Sequence, residues 1–264
     1  MQRQEASILL SALSGQRALV IGDVMLDAFV YGEVTRISRE APVPVLSESR
    51  RTLMLGGAGN LVRNIASLGG KPFVISLVGK DQAGATIGQL LDECAPGAAA
   101  LIEEDGRLTP TKTRYVSGSQ QMFCVDCNPE GHASKTSQSA IIEAATARMA
   151  DCDVVVLSDY GRGLLTPEVC KGLIAAARKA GKPVCVDPRG ADYTRYDGAY
   201  LIKPNAQELS EETGLPVRSD GEVEAALGAL KSRLPQTTSL IVTRGGKGMS
   251  LIADGKVSHH RSRP

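Results

Sequence analysis

Short apolar runs recur along this chain and alternate with stretches of helical spacing, and that rhythm narrows its fold more than any other feature. Ala18 to Ile21, Phe73 to Val78, Val154 to Leu157, Val184 to Val186, Tyr200 to Ile202 and Leu240 to Thr243 are such runs, each followed within two residues by Gly, Asp, Lys or Arg. A run without polar alternation fits a parallel strand covered on both faces. Between the runs, apolar residues recur every three or four positions: Leu61, Ile65 and Leu68 before Gly69-Gly70, then Ala83 to Leu91, Ser139 to Met149, Pro167 to Ala180, Ala206 to Thr213 and Gly221 to Leu234. The alternation predicts an α/β fold: a doubly wound, mainly parallel sheet with helices on both faces.

Two regions depart from the rhythm. Residues 28–50 and 111–126 alternate polar and apolar side chains, the pattern of half-exposed antiparallel strands, and are expected to form a small β-flap. A short amphipathic helix is expected at the N-terminus. No repeat, low-complexity tract or linker divides the sequence, so residues 1–264 are expected to form a single domain.

Composition excludes several partners. Lys and Arg total 30 against 29 Asp and Glu, a formal net charge of +1, which leaves no field to draw nucleic acid or an anionic membrane. Aromatic residues are 3% with no Trp, which disfavours base stacking. Ile8-Leu9-Leu10 is too short for a membrane span or signal peptide, and six irregularly spaced Cys do not form a disulfide scaffold; a cytoplasmic location is expected.

In a doubly wound sheet ligands gather beyond the carboxyl ends of the strands, so residues there carry the chemistry. Asp23 and Asp27 follow the first run; each could accept from sugar hydroxyls or cap a helix. Gly56-Gly57-Ala58-Gly59-Asn60 opens a helix, either as a ligand-approach turn or as a simple loop with Asn as cap. Asn205-Ala206-Gln207-Glu208 has capping-box spacing, and the same oxygens could orient the waters of a magnesium ion. Thr243-Arg244-Gly245-Gly246-Lys247-Gly248 suits a nucleotide phosphate or a plain turn, and Arg189 after Asp187-Pro188 is a phosphate ligand or a surface charge. Cys124 and Cys127 lack a second metal-ligand pair, and no Ser/His/Asp nucleophile arrangement appears.

Taken in order, Gly22-Asp23-Val-Met-Leu-Asp27, Arg36-Ile-Ser-Arg39-Glu-Ala-Pro42, Gly56-Gly57-x-x-Asn60, Leu157-Ser-Asp159-Tyr, Asp187-Pro-Arg189, Pro204-Asn205-x-x-Glu208 and Val242-Thr-x-Gly245-x-x-Gly248 resemble the ribokinase-like (PfkB) carbohydrate kinases. Within that family the stretch from Gly22 to Val45 is most similar to the kinases that phosphorylate D-glycero-β-D-manno-heptose 7-phosphate at O1, in lipopolysaccharide precursor synthesis. The resemblance implies ATP and Mg2+ as cofactors, a sugar phosphate bound between sheet and flap, and a homodimer through the flap. It implies that Asp27, Gly57 and Asn60 hold sugar hydroxyls and that Arg36 meets the existing phosphate. It assigns Arg189, Asn205, Ala206, Gln207, Glu208, Thr243, Arg244, Gly245 and Gly248 to ATP, with Asn205 and Glu208 reaching the metal through water.

One family segment is missing from the 264 residues: the Gly-Ala-Gly-Asp stretch whose backbone N–H groups stabilise the transferring phosphoryl group and whose Asp is the base. No catalytic base is therefore assigned, the chain is expected to be truncated at its C-terminal end, and Ser258 to Pro264 is not expected to continue a strand. Two alternatives remain, a non-catalytic sugar-phosphate-binding or dimerising remnant and, more distantly, a Rossmann-type oxidoreductase.

Overall fold

The computed structural model describes Ile8 and residues 10–262. Its main sheet holds nine strands, numbered in chain order: β1 (Arg17–Gly22), β4 (Lys71–Gly79), β5 (Ala99–Glu104), β8 (Val154–Ser158), β9 (Val184–Asp187), β10 (Leu201–Ile202), β11 (Ser239–Thr243), β12 (Met249–Ala253) and β13 (Lys256–His260). The order is β13-β12-β11-β10-β9-β8-β1-β4-β5, parallel from β11 to β5 and antiparallel at β12 and β13. The expected doubly wound sheet is present.

Six helices link these strands: α1 (Ala58–Ser67), α2 (Gln82–Cys94), α3 (Lys135–Arg148), α4 (Pro167–Lys179), α5 (Ala206–Thr213) and α6 (Asp220–Arg233). Register explains the apolar runs. Leu19, Ile21, Leu157, Val186, Ile202 and Leu240 share one face with buried residues of α3 to α6, whereas Val20, Val74 and Val78 pack on the other with Val62 of α1 and Ile87 of α2. Both faces are covered there, so no polar alternation survives. The second cover stops short. Val154, Val156, Cys185, Leu201 and Ile241 continue the α1 face across β8 to β11 and stay partly exposed.

The flap is a second sheet, β3-β2-β6-β7, with β2 (Val24–Ile37), β3 (Pro44–Gly57), β6 (Thr111–Ser117) and β7 (Gln120–Cys127). Its first two strands run fourteen residues each, longer than the alternation suggests, because Val24 to Leu26 and Leu55 to Gly57 are continuously buried and show no alternation. The two sheets meet at Asp23, between β1 and β2.

Two strands were not expected. Edge strand β5 is partly exposed along most of its length, and β13 pairs with β12 although its sequence is polar. An edge strand needs one paired backbone and little apolar surface; Val257 supplies the contact with the core. The expected N-terminal helix lies mostly on residues 1–7 and 9, outside the described residues, although Ile8 and residues 10–13 are helical. Among the described residues no helix is long and apolar enough to cross a membrane.

Candidate active site

A cavity of about 460 Å³ opens between the flap and the carboxyl end of the main sheet. Asp27, Gly57, Asn60 and Arg189, expected from the sequence to meet ligand, all line it. Asp27 reaches it from β2, and Gly57 and Asn60 from the junction of β3 and α1. Gly57 has φ of 57°, and a Cβ there would lie 2.3 Å from the Asp23 carbonyl oxygen, so only glycine fits this turn. Asn60 is not the helix cap; Gly57 occupies that position, and Asn60 accepts from Arg63 at 3.0 Å.

The cavity is cationic. Arg63, Lys112, Arg114, Arg162 and Arg189 line it, against Asp27 as the sole carboxylate of the wall. Arg114 Nη1 donates to Asp27 Oδ1 at 3.0 Å while its guanidinium lies 5.0 Å from the Phe29 ring centre. Four of these cations, Arg63, Lys112, Arg114 and Arg162, were not singled out in the sequence. The alternation of Lys112 and Arg114 puts them on one strand face, but only the parallel pairing of β6 with β2 sets them opposite Asp27 and Phe29. Arg36 lies elsewhere: it is exposed at the far end of β2, nine residues from Asp27 and so about 30 Å along the strand.

Behind the cavity lies a buried polar network. Asp159 Oδ2 accepts from the Tyr196 hydroxyl at 2.7 Å and from Arg195 at 3.1 Å, and the Arg189 backbone N–H donates to the same hydroxyl at 3.4 Å. These contacts fix the turn that presents Arg189. The Tyr160 phenol is held above its ordinary pKa by burial first, then by the negative charges of Asp187, Asp27 and Glu208.

Glu208 belongs to a second group beside the cavity. Asn205 Oδ1 accepts from the Glu208 N–H at 2.9 Å and Glu208 Oε2 accepts from the Asn205 N–H at 2.8 Å, a complete capping box on α5. Thr243 bridges to Asn205 across the sheet. Gly245 and Gly248 flank a short turn with φ of 56° and 90°, and Ala206 and Gln207 form the first turn of α5, with Gln207 bonded to Glu211 at 2.7 Å. Arg244 is turned away, buried and donating to Asp220 at 2.7 Å and Ser250 at 3.2 Å. The groups are joined by Arg189, which lines the cavity and pairs with Glu208 Oε1 at 3.4 Å.

No three His, Cys, Asp or Glu side chains come together as direct metal ligands among the described residues. The oxygens of Asn205 and Glu208 already serve the capping box, so this donor set fits a hydrated ion carried by a triphosphate rather than a stripped one.

Flap, cavity and strand-end polar groups together define a carbohydrate-kinase architecture, and the pfkB family carbohydrate kinase model matches residues 16–264. The chain belongs to that family. It is 50% identical over 249 residues to a Caulobacter vibrioides protein named bifunctional protein HldE, covering 94% of this chain and 51% of the relative, and 40% identical over 250 residues to the Mesorhizobium japonicum protein of the same name, covering 95% and 50%. The chain thus spans about half the length of the curated relatives it matches. Escherichia coli phosphofructokinase-2 in complex with potassium superposes with a TM-score of 0.76 at 21% identity, covering 95% of this chain and 79% of that one. Arabidopsis thaliana ribokinase complexed with ribose and ATP gives 0.69 at 20%, with the same coverage. These likenesses establish a ribokinase-like fold, and family membership displaces the oxidoreductase alternative.

Proposed function

We propose that the cavity binds a phosphorylated sugar, D-glycero-β-D-manno-heptose 7-phosphate by resemblance, and that the strand-end group beside it receives MgATP for transfer to the anomeric hydroxyl O1. The observation that carries this reading is the wall itself, one carboxylate among five cations. Asp27 and Asn60 supply acceptors and an amide for sugar hydroxyls, while guanidinium groups match a phosphate dianion bidentately. Arg114 and Arg162 replace Arg36 as the candidates for the existing phosphate within one chain, because they stand in the cavity and Arg36 does not.

Phosphoryl transfer depends on placing two anionic reactants in line and neutralising their charge. Arg189, between the cavity and Glu208, is placed to do both. The bound metal would supply charge neutralisation, with Asn205 and Glu208 holding its water. In the family's pattern the base and anion hole belong to the Gly-Ala-Gly-Asp segment, each contributing about 10² to 10⁴ to the rate. Homodimerisation through the flap is part of the proposal: the face turned from the cavity exposes Leu53, Phe123 and Val125.

Calorimetry tests it. Heptose 7-phosphate should bind, the heptose without phosphate should bind at least about tenfold more weakly, and Arg114→Ala should erase most of that preference. Equal affinity for the two sugars would refute a phosphate-reading cavity. Sugar-phosphate binding without any ATP binding would favour the non-catalytic remnant.

A further inference from the structure

Asp23 is only 3% exposed and does not line the cavity. Its Oδ2 accepts the backbone N–H of Tyr160 at 2.9 Å and of Arg162 at 3.1 Å, and its Oδ1 accepts that of Leu164 at 3.4 Å. Its own carbonyl accepts the Ala58 N–H at 2.9 Å, and its N–H donates to the Ser158 carbonyl at 3.2 Å. One residue therefore ties together the sheet junction, the start of α1 and the irregular segment 160–164.

That segment supplies Tyr160 and Arg162 to the cavity wall. From its other side the buried Arg107 guanidinium donates to the Arg162 carbonyl. Arg162 Nε is itself buried with no hydrogen-bond partner in the protein. The segment has no helix or strand bonds of its own and few other anchors, the Ala133 N–H donating to the Gly163 carbonyl at 2.9 Å and the Gly161 N–H to Asp159 Oδ1 at 2.7 Å; a carboxylate is the strongest acceptor available to its N–H groups. Retaining a carboxylate in the core at all is unfavourable: burial, and then the charge of Asp159, raise its pKa to about 6.

We propose that Asp23 is a positioning residue for sugar-phosphate binding, fixing the backbone of residues 160–164 so that the Arg162 guanidinium and the Tyr160 ring stand in the cavity wall. The identity of the ligand rests on the proposed function; the placement of the segment does not.

Two measurements on the full chain test this. The first is site-resolved hydrogen exchange without ligand. In Asp23→Ala the amides of Tyr160, Arg162 and Leu164 should exchange about tenfold faster or more, with β11 and α6 unchanged. In Asp23→Asn the amide oxygen can still serve Tyr160 and Arg162, so Leu164 alone should lose protection. If the Ala variant does not fold, the Asn pattern decides. Unchanged protection at all three amides overturns the proposal.

The second is calorimetry with heptose 7-phosphate and, separately, a non-hydrolysable ATP analogue. Asp23→Ala should weaken the sugar phosphate about tenfold or more and leave the nucleotide unaffected, with Asp23→Asn largely restoring the sugar phosphate. Equal losses for both ligands would mean a fold-wide role and overturn the proposal. If heptose 7-phosphate fails to bind the unaltered chain, the functional reading fails, while the exchange pattern still decides whether Asp23 places the segment.

Discussion

Asp23 and Asp153 carry the same side chain in opposite circumstances. Asp153 is partly exposed and bonded to the Arg17 guanidinium and backbone, which hold its pKa at about 2; it favours the fold above the ordinary carboxylate range and loses that effect as pH falls towards 2. Asp23 is raised to about 6, so the sign reverses. Its contribution is fully present below about pH 4 and is lost as pH rises through about 6; at neutral pH the buried charge costs about 3 kcal/mol net of its three backbone hydrogen bonds. The groups facing it are Asp159, the Arg107 guanidinium and the Cys170 thiol. Asp23→Asn removes the charge, so its stability relative to the unaltered chain, from urea unfolding, should increase between pH 4 and pH 7; a flat difference would refute the raised pKa. Asp27 and Asn60, which line the cavity, could be picked out in the sequence because each follows within five residues a glycine that closes a strand. Asp23 was read there as a hydroxyl ligand or cap because its acceptors' partners lie 137 to 141 residues away. Arg244 was offered as a phosphate ligand, and only the fold reveals Asp220 beside it.

Elements were more legible than contacts, since a periodicity of two or 3.6 is local. The helices fall within about four residues of their expected bounds, and all but α1 start at a side-chain cap: Asp81 on α2, Ser134 on α3, Thr166 on α4, Asn205 on α5 and Ser219 on α6. Edge strands β5 and β13 were missed, because an edge is defined by backbone pairing that leaves little mark on side chains. The capping box of α5 belongs to both structure and site. Asn205→Ala should cost about 1 kcal/mol, seen as a melting shift of about 2 °C, and should also weaken ATP-analogue binding in calorimetry. Loss of stability with unchanged nucleotide affinity would reduce Asn205 to a helix cap.

Across the described residues, the partly exposed row Val154, Val156, Cys185, Leu201 and Ile241 departs from a two-sided α/β layer. The row stands open to water or to another surface, so the native chain should enhance the fluorescence of a hydrophobic dye, and Ile241→Lys should reduce that signal without lowering far-ultraviolet helicity. No enhancement would mean the row is covered in solution. The pairing of Arg189 with Glu208 has a further consequence at this scale. That guanidinium lies between the cavity and the capping box of α5, so under the proposed function an anion that claims it in the cavity would release Glu208 on the other side. Binding of one reactant would then change the affinity for the other, and linkage would make that factor the same in both directions.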